Sequence, residues 1–214
     1  MTASETPHIY QRLDYGVVCQ PKANHAVSGD AYLLWESGAT ALIAVIDGLG
    51  SGDEAAQAAQ CARSQVLALV EAPLQAILQA CHQALSDTRG AVMGLLRLDF
   101  QAGQASFAGV GNIGIQVQSA AHEIKPVSRN GIVGHRLPQT REFRYPYTPG
   151  DLYALHSDGI SSRFVLSGYR HILPDDDLQQ IAEQIASAFG RDDDDVTLIL
   201  VRERPPYILQ GVPK

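Results

Sequence analysis

The sequence AVIDGLGSGDEAAQAA, residues 44–59, joins an apolar run to an alanine-rich segment through three glycines and an aspartate. Residues 41–46 predict a strand buried on both faces, and residues 54–71 repeat small and aliphatic side chains at helical spacing. Glycines between a strand and a helix are typical of a phosphate-binding turn, but Asp47 opens this turn and would repel a bare phosphate. The stretch therefore predicts a strand–turn–helix unit that presents a carboxylate at a strand end.

Two other functions use a glycine-rich turn at such a place, and the sequence disfavours both. A dinucleotide-binding turn needs the spacing G-x-G-x-x-G, whereas Gly48, Gly50 and Gly52 are spaced G-x-G-x-G and no regular βαβ pattern follows. Phosphatases with an aspartyl nucleophile, such as the haloacid dehalogenase superfamily, typically carry a second acid two residues after the first. Leu49 occupies that position here.

The whole chain has the length and composition of one globular domain, which we assign to residues 1–204, followed by a short tail over 205–214. A net charge of −7 argues against nucleic acid as the main partner, because phosphate backbones require a basic surface. Cys19, Cys61 and Cys81 lack metal-binding spacing and are expected to be free thiols. No signal-peptide pattern and no apolar run of roughly 20 residues is present. We therefore expect a cytoplasmic protein that binds no membrane.

Apolar periodicity divides the chain into strands and helices in an order that favours antiparallel sheets with helices packed outside them. Strands are predicted at 9–20, 31–36, 40–46, 91–100, 104–111, 113–118, 151–156 and 195–202, and helices at 54–71, 73–88 and 175–189. Residues 122–150 are predicted to be loop because glycine and proline recur there. The order lacks the regular alternation of a doubly wound fold, so we predict the α+β class.

Aspartates stand at the ends of four predicted strands. They are Asp30, Asp47, Asp158, and the pair Asp194 and Asp195. One such residue is usually a turn former, but carboxylates brought together repel one another unless cations bridge them. Oxygen ligands favour Mg²⁺ or Mn²⁺ over zinc, and two such ions about 3.5–4 Å apart can activate a water and polarise a phosphoryl oxygen. The acids therefore predict a metal site whose ions bind the phosphate group of a substrate.

Five segments occur in the order found in one family of enzymes. They are SGD (28–30), VIDGLGSG (45–52), GVGN (109–112), HSDGI (156–160) and DDVTLILV (194–201). Together they resemble the metal-dependent type 2C serine/threonine protein phosphatases, specifically the bacterial SpoIIE branch, over about residues 10–203. The resemblance implies a four-layer α-β-β-α sandwich of two antiparallel sheets flanked by helices, with a dimetal site at one edge.

The resemblance also implies roles for the acids. Asp47 resembles the bridging metal ligand, Gly48 would offer its main-chain carbonyl, and Asp158 and Asp194 resemble ligands of the other ion. Asp30 corresponds to an acid commonly bound through water, and Asp195 is the second residue of the closing motif. The run of aspartates at 192–195 leaves a slip to Asp193 or Asp195 open. The implied reaction is hydrolysis of phosphoserine or phosphothreonine by direct attack of a metal-activated water, with two Mn²⁺ or Mg²⁺ ions.

Within that branch the chain resembles the short, free-standing RsbX-like subtype of bacterial stress signalling. This likeness implies that the partners are phosphorylated STAS-domain proteins of a stressosome or anti-sigma pathway. One alternative is a catalytically silent pseudophosphatase that binds a STAS or kinase partner, although intact acids at every strand end argue against it. Another is a cation-binding protein without catalysis, which the absence of an EF-hand loop disfavours.

Several other residues of these loops have chemistry that a phosphatase uses, but a structural or solvated role is favoured for each. His156 at a strand end is either a packed histidine or a general acid. Asn112 follows tight glycines and is expected to form a turn. The remaining candidates are His25, His135, Arg129, Arg136 and Arg141 in loops, and Arg12 as the only early arginine that is a candidate to bind a phosphate.

Overall fold

The computed structural model describes residues 12–121, 123–169, 172 and 176–204. The elements are β1 (Leu13–Gln20), β2 (Asp30–Glu36), β3 (Thr40–Gly48), α1 (Asp53–Ala68), α2 (Leu74–Ala84), β4 (Ala91–Asp99), β5 (Gln104–Val110), β6 (Gly114–Gln118), β7 (Phe143–Pro146), β8 (Leu152–His156), a 3₁₀ turn (Leu166–Tyr169), α3 (Leu178–Phe189) and β9 (Val196–Glu203). The first residues assigned to the domain, 1–11, and the predicted tail, 205–214, lie outside the described residues.

Two antiparallel sheets form the centre of the molecule. One has the strand order β1-β9-β8-β6, and the other has the order β2-β3-β4-β5-β7. Helix α3 packs on β1 and β9 of the first sheet, whereas α1 packs on β2 and β3 of the second and α2 packs on α1. The layers are therefore helix, sheet, sheet and helix, which confirms the predicted four-layer α+β sandwich.

The continuous apolar run of β3 follows from its position between two layers. Leu42, Ala44 and Ile46 belong to the core cluster under α1 and α2, whereas Ile43 and Val45 belong to the cluster between the sheets. Successive side chains of a strand point to opposite faces, so a strand covered on both faces must be apolar throughout. The prediction of a doubly buried strand is confirmed.

Small side chains bring α1 close to the second sheet. Its buried residues are Ala55, Ala58, Ala59, Ala62 and Val66. At the start of the helix the approach is limited by backbone, because a Cβ placed on Gly48 would lie 2.0 Å from the carbonyl oxygen of Ala55. The first turn of α1 is therefore fixed directly over the end of β3.

The structure corrects three details of the predicted elements. Strand β7 lies inside the segment predicted to be loop, where Phe143 and Tyr145 pack against the inter-sheet core and β7 pairs with β5. Helix α3 begins at Leu178 and not at residue 175, because the Asp177 carboxylate caps it by accepting from the amides of Gln179 and Gln180. Helices α1 and α2 also end earlier than predicted, at Ala68 and Ala84.

The strand directions bring the predicted site residues to one end of the sandwich. Asp30 begins β2 directly opposite Asp47 of β3, and Gln20 at the end of β1 pairs with Val196 at the start of β9. Strand β8 ends at the same end, since His156 pairs with Leu198. In the described residues no helix is both long and apolar enough to cross a bilayer.

Replacement of Gly16 by alanine is expected to destabilise the fold. A Cβ at Gly16 would lie 2.0 Å from the carbonyl oxygen of Leu178, so β1 and the start of α3 would have to separate. We expect a loss of about 1–3 kcal/mol in the free energy of unfolding, measured by urea denaturation. The matched control is Gly38→Ala, because no atom lies within 4 Å of a Cβ there. Equal stability of the two variants would contradict this packing.

Candidate active site

Asp30 and Asp47 lie opposite each other on neighbouring antiparallel strands. Side chains directly opposite in such a pair share one face of the sheet. In β3 the odd-numbered residues Ile43 and Val45 face the other sheet, so Asp47 continues that inner face where the strand ends. The apolar layer between the sheets is therefore capped at this end by two carboxylates.

The aspartates at the start of β9 occupy different environments. The buried carboxylate of Asp195 accepts from the amide of Lys22 at 3.0 Å and from the amide of Gly29 at 2.9 Å, so it anchors the loop that leads to Asp30. The half-buried Asp194 accepts from the amide of Asp195 at 2.9 Å and is near enough to Asp158 for their charges to interact. Asp192 and Asp193 are exposed.

Asn112 holds the carboxylate of Asp158. Its side-chain nitrogen donates to Asp158 Oδ2 at 2.6 Å, from the loop between β5 and β6. The sequence pattern predicts only a turn role for Asn112, because no local pattern indicates which distant carboxylate a side-chain amide will reach. The contact makes Asn112 a positioning residue for the acid cluster.

Glycines next to these acids are required by close contacts between segments. A Cβ on Gly29 would lie 2.8 Å from Asp195 Oδ2, and one on Gly159 would lie 2.0 Å from the carbonyl oxygen of Asp195. Gly48 donates its amide to the Gly29 carbonyl at 3.1 Å and has α1 above it. Each Gly-Asp or Asp-Gly pair of the sequence thus marks a point at the site where two segments of the chain come into close contact.

The electrostatics of the cluster oppose ionisation. Burial, and then the charges of Asp30, Asp158, Asp194 and Asp195, raise the pKa of Asp47 from 3.8 to about 8. Burial also raises the pKa of Asp30 to about 7, although the hydroxyls of Ser157 and Thr197 act in the opposite direction. The pKa of Asp194 is raised by partial burial and by Asp158. No lysine or arginine of the described residues is among the groups that shift these pKa values.

Two observations test whether this cluster suits a divalent cation. Asp30 Oδ2 is buried and has no hydrogen-bond partner among the described residues, which is costly for a carboxylate oxygen. In the same part of the chain, no three His, Cys, Asp or Glu side chains already converge closely enough to hold an ion. Hard oxygen donors without a countercharge fit Mg²⁺ or Mn²⁺.

The histidines and the early arginine lie where the favoured interpretation placed them. His156 is packed, since its Nδ1 lies 2.9 Å from the Ser157 carbonyl oxygen and its ring lies edge-on to Phe164, and burial lowers its pKa. His25 and His135 are exposed. Arg12 lies at the opposite end of the sandwich, 3.1 Å from Glu203.

In the absence of divalent cations, the protein is expected to lose stability as the pH rises from about 5 to about 8. In the folded state Asp30 and Asp47 have pKa values of about 7 and about 8, whereas the ordinary aspartate pKa of 3.8 applies in the unfolded chain. The folded protein therefore binds more protons than the unfolded chain, and this stabilising protonation is lost as the pH rises through about 7 and about 8. The free energy of unfolding of Asp47→Asn should depend less on pH, and at pH 8 it should exceed that of the native protein by about 2 kcal/mol. Urea denaturation with chelator measures both.

The control for this experiment is Asp87→Asn, which alters an exposed aspartate between α2 and β4. Its stability should follow that of the native protein at every pH. If the native protein and Asp47→Asn instead changed in parallel from pH 5 to pH 8, the proposed burial of charge at Asp47 would be wrong.

Comparison with known proteins agrees with this geometry. The family model for stage II sporulation protein E (SpoIIE) matches residues 37–204. The phosphoserine phosphatase RsbX of Bacillus subtilis (strain 168) is 24% identical over 180 residues, which cover 84% of this chain and 89% of RsbX. The predicted resemblance to SpoIIE-type phosphatases is therefore confirmed.

Solved structures share the fold over most of the chain. One, described as "The bacterial stressosome: a modular system that has been adapted to control secondary messenger signaling", is 34% identical with a TM-score of 0.85 and covers 90% of this chain and 100% of that chain. RsbX in complex with magnesium has 22% identity and a TM-score of 0.80, covering 89% of this chain and 95% of that one. The serine/threonine phosphatase PstP/Ppp of Mycobacterium tuberculosis has 16% identity and a TM-score of 0.69, covering 90% and 99%. The chain belongs to the SpoIIE family, is similar in sequence to the phosphoserine phosphatase RsbX, and shares its fold with PP2C phosphatase domains.

Proposed function

We propose that this protein is a metal-dependent phosphoserine/phosphothreonine protein phosphatase. The observation that carries the proposal is the acid cluster at one end of the sandwich, where Asp47 lies opposite Asp30 and within the influence of three further carboxylates. Apolar residues would serve stability better at these positions, so the acids are best explained as ligands for divalent cations.

Asp47 is the proposed bridging ligand, because it lies within the influence of every other acid of the cluster. Gly48 would contribute its carbonyl oxygen, Asp158 and Asp194 would bind the second ion, and Asp30 would act through a bound water. Asp195 is the least suited of the set, since both of its oxygens accept backbone amides of the 22–29 loop. Bound ions would supply neutralisation of the phosphoryl charge and activation of a water for attack on phosphorus.

The other residues of the site position these ligands. Asn112 orients the Asp158 carboxylate by donating to Oδ2, and Asp195 fixes the loop before Asp30. The hydroxyls of Ser157 and Thr197 lie beside Asp30 and favour its ionised form. A network of this kind limits the rotation of each ligand and keeps the acids aimed at a common region.

The proposed substrates are phosphorylated STAS-domain proteins of a stressosome or anti-sigma pathway. Support comes from the similarity to the phosphoserine phosphatase RsbX and to the solved structure described above under the bacterial stressosome.

The purified protein should release phosphate from p-nitrophenyl phosphate only when Mn²⁺ or Mg²⁺ is present. Chelator should abolish this release, and Asp47→Asn should lower it by about a hundredfold or more, because the variant loses the charge shared by the ions. Isothermal titration with Mn²⁺ should show weakened binding by the same variant. Asp87→Asn, which alters an exposed aspartate outside the cluster, should behave as the native protein.

The outcomes separate the candidate functions. Metal-independent turnover, or turnover unaffected by Asp47→Asn, would contradict the dimetal mechanism. Metal binding without turnover of either p-nitrophenyl phosphate or a phosphorylated STAS protein would replace the enzyme by the catalytically silent binding module.

Asn112→Ala is expected to lower phosphate release by about tenfold and to weaken Mn²⁺ binding in parallel, because the Asp158 carboxylate loses the donor that orients it. The measurement is turnover as a function of Mn²⁺ concentration, so that weaker metal binding appears as a shift of the activation curve. Asn130→Ala alters an exposed asparagine of the neighbouring loop and serves as the control. An unshifted activation curve for Asn112→Ala would show that the contact has no part in metal binding.

A further inference from the structure

A second polar feature lies at the outer edge of the five-stranded sheet. It is a groove of about 580 Å³ whose lining includes Arg129, Arg141, Arg144, Gln75 and Gln139. Strand β7, which pairs with β5, contributes Arg144 to the lining. We call this feature the arginine groove. The arginines give the groove a positive charge, although the net charge of the chain is −7.

Contacts between separate segments shape the arginine groove. The side-chain amide of Gln75, at the start of α2, donates to the carbonyl of Thr140 at 3.2 Å and ties the loop before β7 to the helix. The guanidinium of Arg141 lies over the ring of Phe143, 5.1 Å from its centroid. A stacked guanidinium keeps its edge free to donate hydrogen bonds to another group.

The charges in the arginine groove are only partly balanced. Arg144 donates to Glu142 at 2.7 Å, and Glu142 also interacts with the half-buried Arg97. No carboxylate of the described residues forms an ion pair with Arg129 or Arg141, and both are exposed. Two guanidiniums therefore remain available for an external anion.

The arginine groove is joined directly to the acid cluster. The amide of Arg129 donates to the carbonyl of Gly109 at 2.9 Å, and its carbonyl accepts from the amide of Gly111 at 2.8 Å. The next residue, Asn112, holds Asp158. A peptide that places one residue at the acids and continues along the edge of the sheet would therefore reach Arg129 and then Arg141.

We propose that the arginine groove binds an acidic segment flanking the phosphorylated residue of the protein substrate, a role that rests on the proposed phosphatase function. Carboxylates match the bidentate geometry of guanidinium groups. A nucleic acid would carry its charge over a much longer path and meet the acidic remainder of the surface, which disfavours it.

The test compares two phosphoserine peptides that are identical except for their flanks, one rich in aspartate and glutamate and one in serine and glutamine. The quantity measured is the ratio of their kcat/KM values, which does not depend on the fraction of active enzyme. Arg129→Glu and Arg141→Glu should each lower the acidic-to-neutral ratio by about tenfold, and raised salt should lower it in the native protein. Arg204→Glu makes the same charge change at an exposed arginine beside Arg12 and should leave the ratio unchanged.

A ratio that is the same in the groove variants and in Arg204→Glu would overturn the proposal. Binding of an unphosphorylated acidic peptide, followed by fluorescence anisotropy, tests the arginine groove even if no phosphate is released. Loss of that binding in Arg129→Glu but not in Arg204→Glu would support the groove while the phosphatase function failed. Equal binding of a short single-stranded RNA would indicate a general polyanion surface and would also overturn the proposal.

Discussion

Asp30 and Asp47 face each other at the end of the apolar layer between the two sheets, and Asp47 is close enough to Asp158 and Asp194 for their charges to interact. Burial and like charge both oppose ionisation there. An ordinary protein core would end in apolar or hydrogen-bonded residues at this point. The arrangement becomes favourable when a cation offsets the repulsion, so the fold and the chemistry of the site are coupled through the same carboxylates.

The acids stay together because the segments that carry them touch through backbone atoms. Gly29, Gly48 and Gly159 each lie where a side chain would collide with a neighbouring segment, and Asp195 fixes the 22–29 loop through two amides. Backbone contacts of this kind leave little freedom for the loops to separate under charge repulsion. The position of α1 over Gly48 extends the same constraint to the helical layer.

The elements around the acids could be predicted because their apolar spacing matches their burial, and β3 is the clearest case. Strand β7 could not, since four residues ending in Pro146 carry too short a pattern and depend on pairing with β5. The acids were predictable as strand ends, but the different environments of Asp194 and Asp195 depend on a loop from the other end of the chain. The contact of Asn112 with Asp158 likewise joins positions 46 residues apart.

An acidic protein that acts on a phosphoprotein faces repulsion beyond the phosphate itself. Bound divalent cations would offset most of the negative charge at the acid cluster, but salt would screen their field over about 8–10 Å. An acidic segment beyond that range would meet a surface of net negative charge unless a positive region lay on its path. The arginine groove supplies such a region next to the acid cluster, since the amide of Gly111 donates to the carbonyl of Arg129 and the next residue is the asparagine that holds Asp158. Cations would thus bind the phosphoryl group, and the arginines would bind the flanking chain of the substrate. This division of roles explains why the two unpaired guanidiniums, of Arg129 and Arg141, lie outside the acid cluster.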